Sequence, residues 1–542
     1  MCGIFAILNN KYDDTLTYKL FMKGAGRGPD MNRLINYKGL VGEQYDMHVG
    51  FHRLAINGYK DDMSDQPFQI NNCMLICNGE IYNWKYLYEI AELDPITKSD
   101  CEVIIHLYKK YGIEYTLKML DGVFAFILFD IKKGLLYAAR DLYGVRPMFV
   151  GEGDIYKGMP IMYAFASEMK QLVSDGIKEI KQLEPGTYAT FKCDVRNNGS
   201  FRFIKNTRFL DIPSTLNNTI GKLEDYCHDV YTALCKAVEK RVDNTDREIC
   251  CLLSGGLDSS LITSIVNKFY RDRYPNKKLH TWSVGMEGSE DLKYAKKVAD
   301  FLGTEHHSIE LSKEEFLKAI PRVLYDIESY DTTTVRASVG NWLISKYITE
   351  GSDAKVVFNG DGSDEVTGGY LYFHAAPDAL AFDKECRRLL QDIHFFDVLR
   401  SDRCISSHGL EARTPFLDKH FVHTYLSIPP HIRFHPQHGV CEKFILRKAF
   451  DDKNMLPKEV LWRTKEAFSD GVSSKKESWF ETIKKEHSDE KKYYKTLFYN
   501  YFQGHDEVIP YYWMPKFVNA TDASARTLDI YNKVNTKNNN DK

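Results

Sequence analysis

Between Ile249 and Phe269 the chain reads as strand, tight turn and helix, and no other stretch limits its fold as strongly. Ile249-Cys250-Cys251-Leu252-Leu253 is a short apolar run that suits a buried strand, and Leu261, Ile262, Ile265, Val266 and Phe269 then recur at helical spacing. Ser254-Gly255-Gly256-Leu257-Asp258-Ser259-Ser260 joins the two. Adjacent glycines let backbone N–H groups approach a ligand closely, and the serine hydroxyls lie where a helix N-terminus offers unpaired donors and the positive end of its dipole. Such a turn cradles an anion. It is not a Walker loop, because no Gly-Lys-Ser/Thr follows, and it lacks the Gly-x-Gly-x-x-Gly of a dinucleotide fold. A carboxylate in an anion cradle repels phosphate unless a cation intervenes, so Asp258 implies Mg²⁺.

From about Lys222 onward strand and helix patterns alternate. Leu279–Val284 and Lys355–Phe358 read as strands, and Leu292, Ala295, Val298, Ala299 and Leu302 mark one helix face. That order predicts an α/β doubly wound parallel sheet, whose ligand crevice lies at the carboxyl ends of its strands. Three strand ends carry polar chemistry: Ser254–Ser260, Ser283-Val284-Gly285-Met286, and Asn359-Gly360-Asp361-Gly362-Ser363-Asp364-Glu365. The third is too acidic to hold phosphate unaided; it suits Mg²⁺, with Asp258 and Asp364 as the expected ligands, or cationic groups that touch a reacting carboxylate.

The first half of the chain differs. Short apolar runs such as Ile4–Leu8, Cys73–Cys77 and the segments flanking Lys132-Lys133-Gly134 predict antiparallel strands. Removal of Met1 would leave Cys2 with both a thiol and a free α-amine, whose ordinary pKa near 7.7–8.0 lets it take the thiol proton. Arg53, in His52-Arg53-Leu54-Ala55-Ile56-Asn57, offers a forked pair of donors to a carboxylate. Glu80 or Asp100 can hold an ammonium, and Asn78 with Gly79 can supply N–H groups to an oxyanion. Taken singly, Cys2 could be a small buried residue, Asn78-Gly79 a hairpin turn and Arg53 a surface charge.

Bulk properties exclude several classes. With 542 residues the chain has room for two or more domains, and a formal charge of -3 gives no field for nucleic acid or an anionic membrane. The 12 cysteines show no CxxC pair, which suits a reducing, cytoplasmic setting. No apolar run approaches the ~20 residues of a membrane span, and no signal peptide is evident.

Together with Arg27-Gly28-Pro29-Asp30, Leu120-Asp121-Gly122 and Ala139-Arg140-Asp141, the Cys2 set resembles the N-terminal-nucleophile glutaminase domain of class II amidotransferases. The Ser254 loop resembles that of ATP pyrophosphatases, and with Gly362–Phe373 and His408–Asp418 the chain resembles glutamine-hydrolysing asparagine synthetases up to about residue 530. The resemblance implies an α+β, αββα glutaminase domain at 2–205, a linker at 206–221, an ATP pyrophosphatase domain at 222–530 and a disordered tail at 531–542. It implies glutamine, aspartate and ATP as substrates, with ammonia passing between the halves, and allows a homodimer. Arg53, Leu54, Ala55, Ile56, Asn57, Asn78, Gly79, Glu80 and Asp100 would bind glutamine. Leu253, Ser254, Gly255, Gly256, Asp258, Ser259, Val284, Asn359, Gly360 and Lys443 would bind ATP, and Thr333, Thr334 and Arg336 aspartate. Asp361 and Lys465 would join Cys2, Asn78 and Gly79 as catalytic residues. Three positions depart from the family's usual pattern: Asp361 stands for Glu, Trp84 for His and Gly26 for His.

Overall fold

In the computed structural model, residues 1–37, 46–154, 159–194, 199–214, 216, 221–439, 441–463, 471–473 and 477–529 are described. Among the described residues the first half holds two six-stranded sheets, antiparallel at every pair of neighbours. Strand Gly3–Asn10 lies inside one sheet between Asp46–Arg53 and Tyr163–Ala166; strand Cys73–Ile81 lies inside the other, paired with Gly122–Asp130. Side chains alternate across each pleat. Ile4, Ala6 and Leu8 therefore meet Met74, Ile76, Ala125 and Ile127 between the sheets, while Phe5 and Ile7 pack outward on Leu20 and Phe21 of the helix Asp14–Met22. The second sheet's outer face, with Leu75, Cys77, Phe126 and Leu128, is covered by Leu87, Tyr88, Ile104 and Tyr108 of the helices Trp84–Ala91 and Val103–Met119. The result is the layered helix, sheet, sheet, helix order. Its last strand, Phe201–Arg208, runs past the 205/206 boundary read from the sequence.

In the second half a five-stranded parallel sheet runs in the order Glu305–Leu311, His280–Met286, Ile249–Leu252, Val356–Phe358, Glu411–Arg413. Helix Leu257–Arg273 follows the central strand, and Glu290–Leu302 follows its neighbour. Chain order reverses at the central strand, which opens a crevice at the carboxyl ends of Ile249–Leu252 and Val356–Phe358. Among the described residues no helix is long and apolar enough to cross a membrane.

The halves are joined by buried charge. Arg27, fully enclosed, donates to Asp402 at 2.7 and 3.2 Å, to Ser406 at 3.0 Å and to the Cys2 carbonyl at 2.9 Å. Burial alone would raise the Asp402 carboxyl, but Arg27 and Arg146 hold it below the usual carboxylate range. Removing one member of a buried pair strands the other. Arg27→Met should cost about 3–5 kcal/mol, read as a fall in the denaturation midpoint. Trp84 also spans the junction: its indole N–H donates to Asn244 Oδ1 at 3.0 Å. Trp84→Phe keeps the ring and loses that bond, an expected cost of about 1 kcal/mol in the same measurement.

Candidate active sites

Cys2 is half-buried at the edge of the core between the two sheets, and its thiol points to the Leu54 carbonyl at 3.5 Å. Burial pushes the thiol up, while the neighbouring α-amine, the Leu54 contact and the Arg53 guanidinium pull it back. Asn78 is fully enclosed in the facing sheet, and neither its amide N–H₂ nor its carbonyl has a partner. A buried, unsatisfied amide is costly, and its donor and acceptor are left available to a ligand. Gly79 follows in the ladder opposite Phe124.

Arg53 is held through Asp65 at 2.5 Å and the Gly58 carbonyl at 2.7 Å, which fixes its fork. Leu54, Ala55 and Ile56 are buried; Ala55 N–H donates to Asp30 at 2.8 Å. Glu80 accepts from Asn57 and Asn244, both at 2.7 Å, and lies 3.3 Å from Arg413. Asp100 accepts from the Ile81 N–H at 2.7 Å and from Asn244 at 3.2 Å. Burial raises both carboxyls, and for Glu80 the charges of Glu411 and Asp100 add to it. Asn244 and Arg413 belong to the second half, so the acidic end of this site is fastened across the junction.

In the second half the expected residues converge on one open cleft enclosing about 1510 Å³, mouth included. Leu253, Ser254, Gly256, Asp258, Ser259, Val284, Thr333, Thr334, Asn359, Gly360, Asp361, Asp364 and Lys443 all line it. Gly255 instead backs the loop: at φ +77 it sits where a Cβ would fall 2.4 Å from the Ala295 nitrogen, so glycine alone lets the loop rest on the next helix. Lys443 is buried, and its ammonium donates to Asp258 at 2.6 and 2.7 Å and lies 2.6 Å from Asp364. Ser363 Oγ donates to the same Asp258 at 2.9 Å. Asp361 accepts from Arg400 at 2.8 Å, and its second oxygen is buried without a hydrogen bond. Burial raises its carboxyl; Arg400 opposes, and Asp397 adds to the rise.

Besides Gly255, one more expected residue lies outside the cleft lining. Arg336 is absent from the cleft lining: its guanidinium is taken up by Glu490 at 2.5 and 2.9 Å and by Asp522 at 2.8 and 2.9 Å, a clamp that ties its helix to the C-terminal segment. Lys465 lies outside the described residues. The cleft also contains residues not anticipated: Trp282, Tyr370, Asp397, Arg400, Arg463 and Trp513. Of these, only Asp397 and Arg400 carried a signal, an oppositely charged pair three residues apart that can share one helix face.

Comparison with known proteins matches residues 1–216 to the glutamine amidotransferase domain family and residues 229–382 and 375–508 to the asparagine synthase family. The chain is 41% identical to a human protein named asparagine synthetase [glutamine-hydrolyzing], over 98% of this chain and 99% of that one. Proteins of the same name from Mesocricetus auratus and Bos taurus are each 42% identical over the same shares. The chain belongs to the asparagine synthase family.

Within the asparagine synthase family frame, the three unusual positions have local explanations. Trp84 makes the bond to Asn244 across the junction. At Gly26 a Cβ would lie 3.3 Å from the Ser407 carbonyl, so a larger side chain would press on the second half. Asp361, one methylene shorter than Glu, reaches Arg400 directly.

Proposed function

We propose that the chain makes asparagine from aspartate, ATP and glutamine. With Met1 removed, the α-amine takes the Cys2 thiol proton and the sulfur attacks the side-chain amide of glutamine. Arg53 receives the α-carboxylate, Glu80 and Asp100 the α-ammonium end, and the idle Asn78 amide with the Gly79 N–H meets the oxyanion. Ammonia departs, and water releases glutamate from the sulfur. In the second half the side-chain carboxylate of aspartate attacks the α-phosphorus of ATP, pyrophosphate leaves toward the Ser254 loop, and ammonia then displaces AMP.

The observation that carries this reading is the gathering of the serine loop, Asp258, Asp361, Asp364 and Lys443 in one cleft. Lys443 balances charge as the P–O bond breaks. Asp258 and Asp364 close around a single ammonium in this structure, which fits two hard oxygen donors for a cation; when bound there, Mg²⁺ would neutralise the triphosphate. Thr333 and Thr334 line the same cleft and would receive aspartate. None of the twelve cysteines is joined in a disulfide, which suits a reducing, cytoplasmic setting.

The test is product identification after incubation with glutamine, aspartate, ATP and Mg²⁺. Asparagine, glutamate, AMP and pyrophosphate are expected; AMP formation that does not depend on aspartate would point to a different acceptor acid.

A further inference from the structure

A second constellation lies at the opposite end of the parallel sheet, on its edge. The strands His280–Met286 and Glu305–Leu311 pair His280 with Glu305 and Trp282 with His307, which puts these four side chains on one face. His306 is turned to the other face, where it meets Thr281 at 3.0 Å and Ser283 at 3.1 Å. His280 Nδ1 and His307 Nε2 approach to 2.9 Å, and Glu305 Oε1 stands 4.0 Å from His280 Nδ1. The two rings are within 9° of parallel with centroids 5.2 Å apart, so they meet edge to edge with nitrogen facing nitrogen. One ligand atom from each of the three residues fits within 4.8 Å.

We propose that His280, Glu305 and His307 form a binding site for a divalent transition-metal ion of the zinc type. Two imidazole nitrogens and one carboxylate oxygen with a position left for water is a donor set that zinc accepts and that Mg²⁺, which demands oxygen, does not. Nitrogens bound at about 2.0–2.1 Å in a tetrahedral arrangement sit about 3.3 Å apart, so the pair must open by a few tenths of an ångström and each ring must tilt by roughly 35° to turn its lone pair toward a shared ion. The site is reachable: His280 is 30% exposed and Glu305 55%. The site is separate from the cleft but joined to it through one residue. His307 stacks on Trp282 at 4.0 Å, and Trp282 is part of the cleft wall.

The experiment uses the full chain, stripped with chelator and dialysed against zinc chloride in excess Mg²⁺. One zinc per chain more than in His280→Asn and His307→Asn variants is expected, with Glu305→Gln weakening affinity about tenfold or more. Co²⁺ provides the second measurement, because a histidine–carboxylate site gives d–d absorption without a thiolate charge-transfer band. Cu²⁺ should quench tryptophan emission, and Trp282→Phe should remove most of that quench. Equal zinc content in the wild type and both histidine variants, or a Co²⁺ spectrum of thiolate character only, overturns the proposal. A simple proton-sharing histidine pair would give the first of these results.

Discussion

Replacing Cys2 with Ala abolishes synthesis from glutamine, by at least about 10³-fold, and leaves synthesis from ammonium salts near the wild-type rate. The expectation rests on separation. The thiol lies at the edge of the core between the two antiparallel sheets, whereas the cleft proposed for ATP opens at the carboxyl ends of the parallel strands. Alanine is small enough to preserve removal of Met1 and the packing around Leu54, so the loss is chemical. Asparagine and AMP are measured with glutamine and then with ammonium chloride. Loss of both activities would show that the halves do not work as modules.

The reciprocal result is expected for Lys443→Met. Asp258 and Asp364 lose the ammonium that lies within 2.6 Å of both, and the departing pyrophosphate loses its counter-charge. A fall of at least about 10²–10³-fold in AMP formation follows, with glutamate release from glutamine largely retained. Unchanged AMP formation would remove Lys443 from the chemistry. Asp361 adds a pH signature to the same assay. Its carboxyl is raised by burial, so if its ionised form is needed, aspartate-dependent AMP formation declines on acidification at a higher pH than an ordinary carboxylate would dictate. Asp361→Asn should abolish that limb of the profile together with most of the activity.

Contiguous chemistry was legible in the sequence. The Ser254–Ser260 loop states its role within seven residues, because glycines, hydroxyls and a carboxylate all belong to one turn. The alternating strands Ile249–Leu252 and His280–Met286 likewise follow from local pattern. Partnership over distance was not legible. Arg336 looks free to bind a substrate carboxylate until Glu490 and Asp522, 154 and 186 residues later, fold onto it. Arg27 belongs to a sequence motif, but nothing near it names its buried partner Asp402, 375 residues further on. Asn78 lies between these cases: its residue type hinted at an oxyanion donor, but only the fold shows that its amide is kept idle.

The burial of Met1 has a bearing on how such a chain matures. Its amine donates to the Leu410 carbonyl at 3.2 Å, its sulfur lies against Arg146, and only 1% of the residue is exposed. Burial lowers that amine to about 6, with Glu411 opposing, so the terminus is enclosed by the second half. An aminopeptidase needs an extended, accessible end. Trimming would therefore have to precede docking of the two halves, and a chain that closes with Met1 in place would lack the Cys2 amine on which the proposed glutamine chemistry depends.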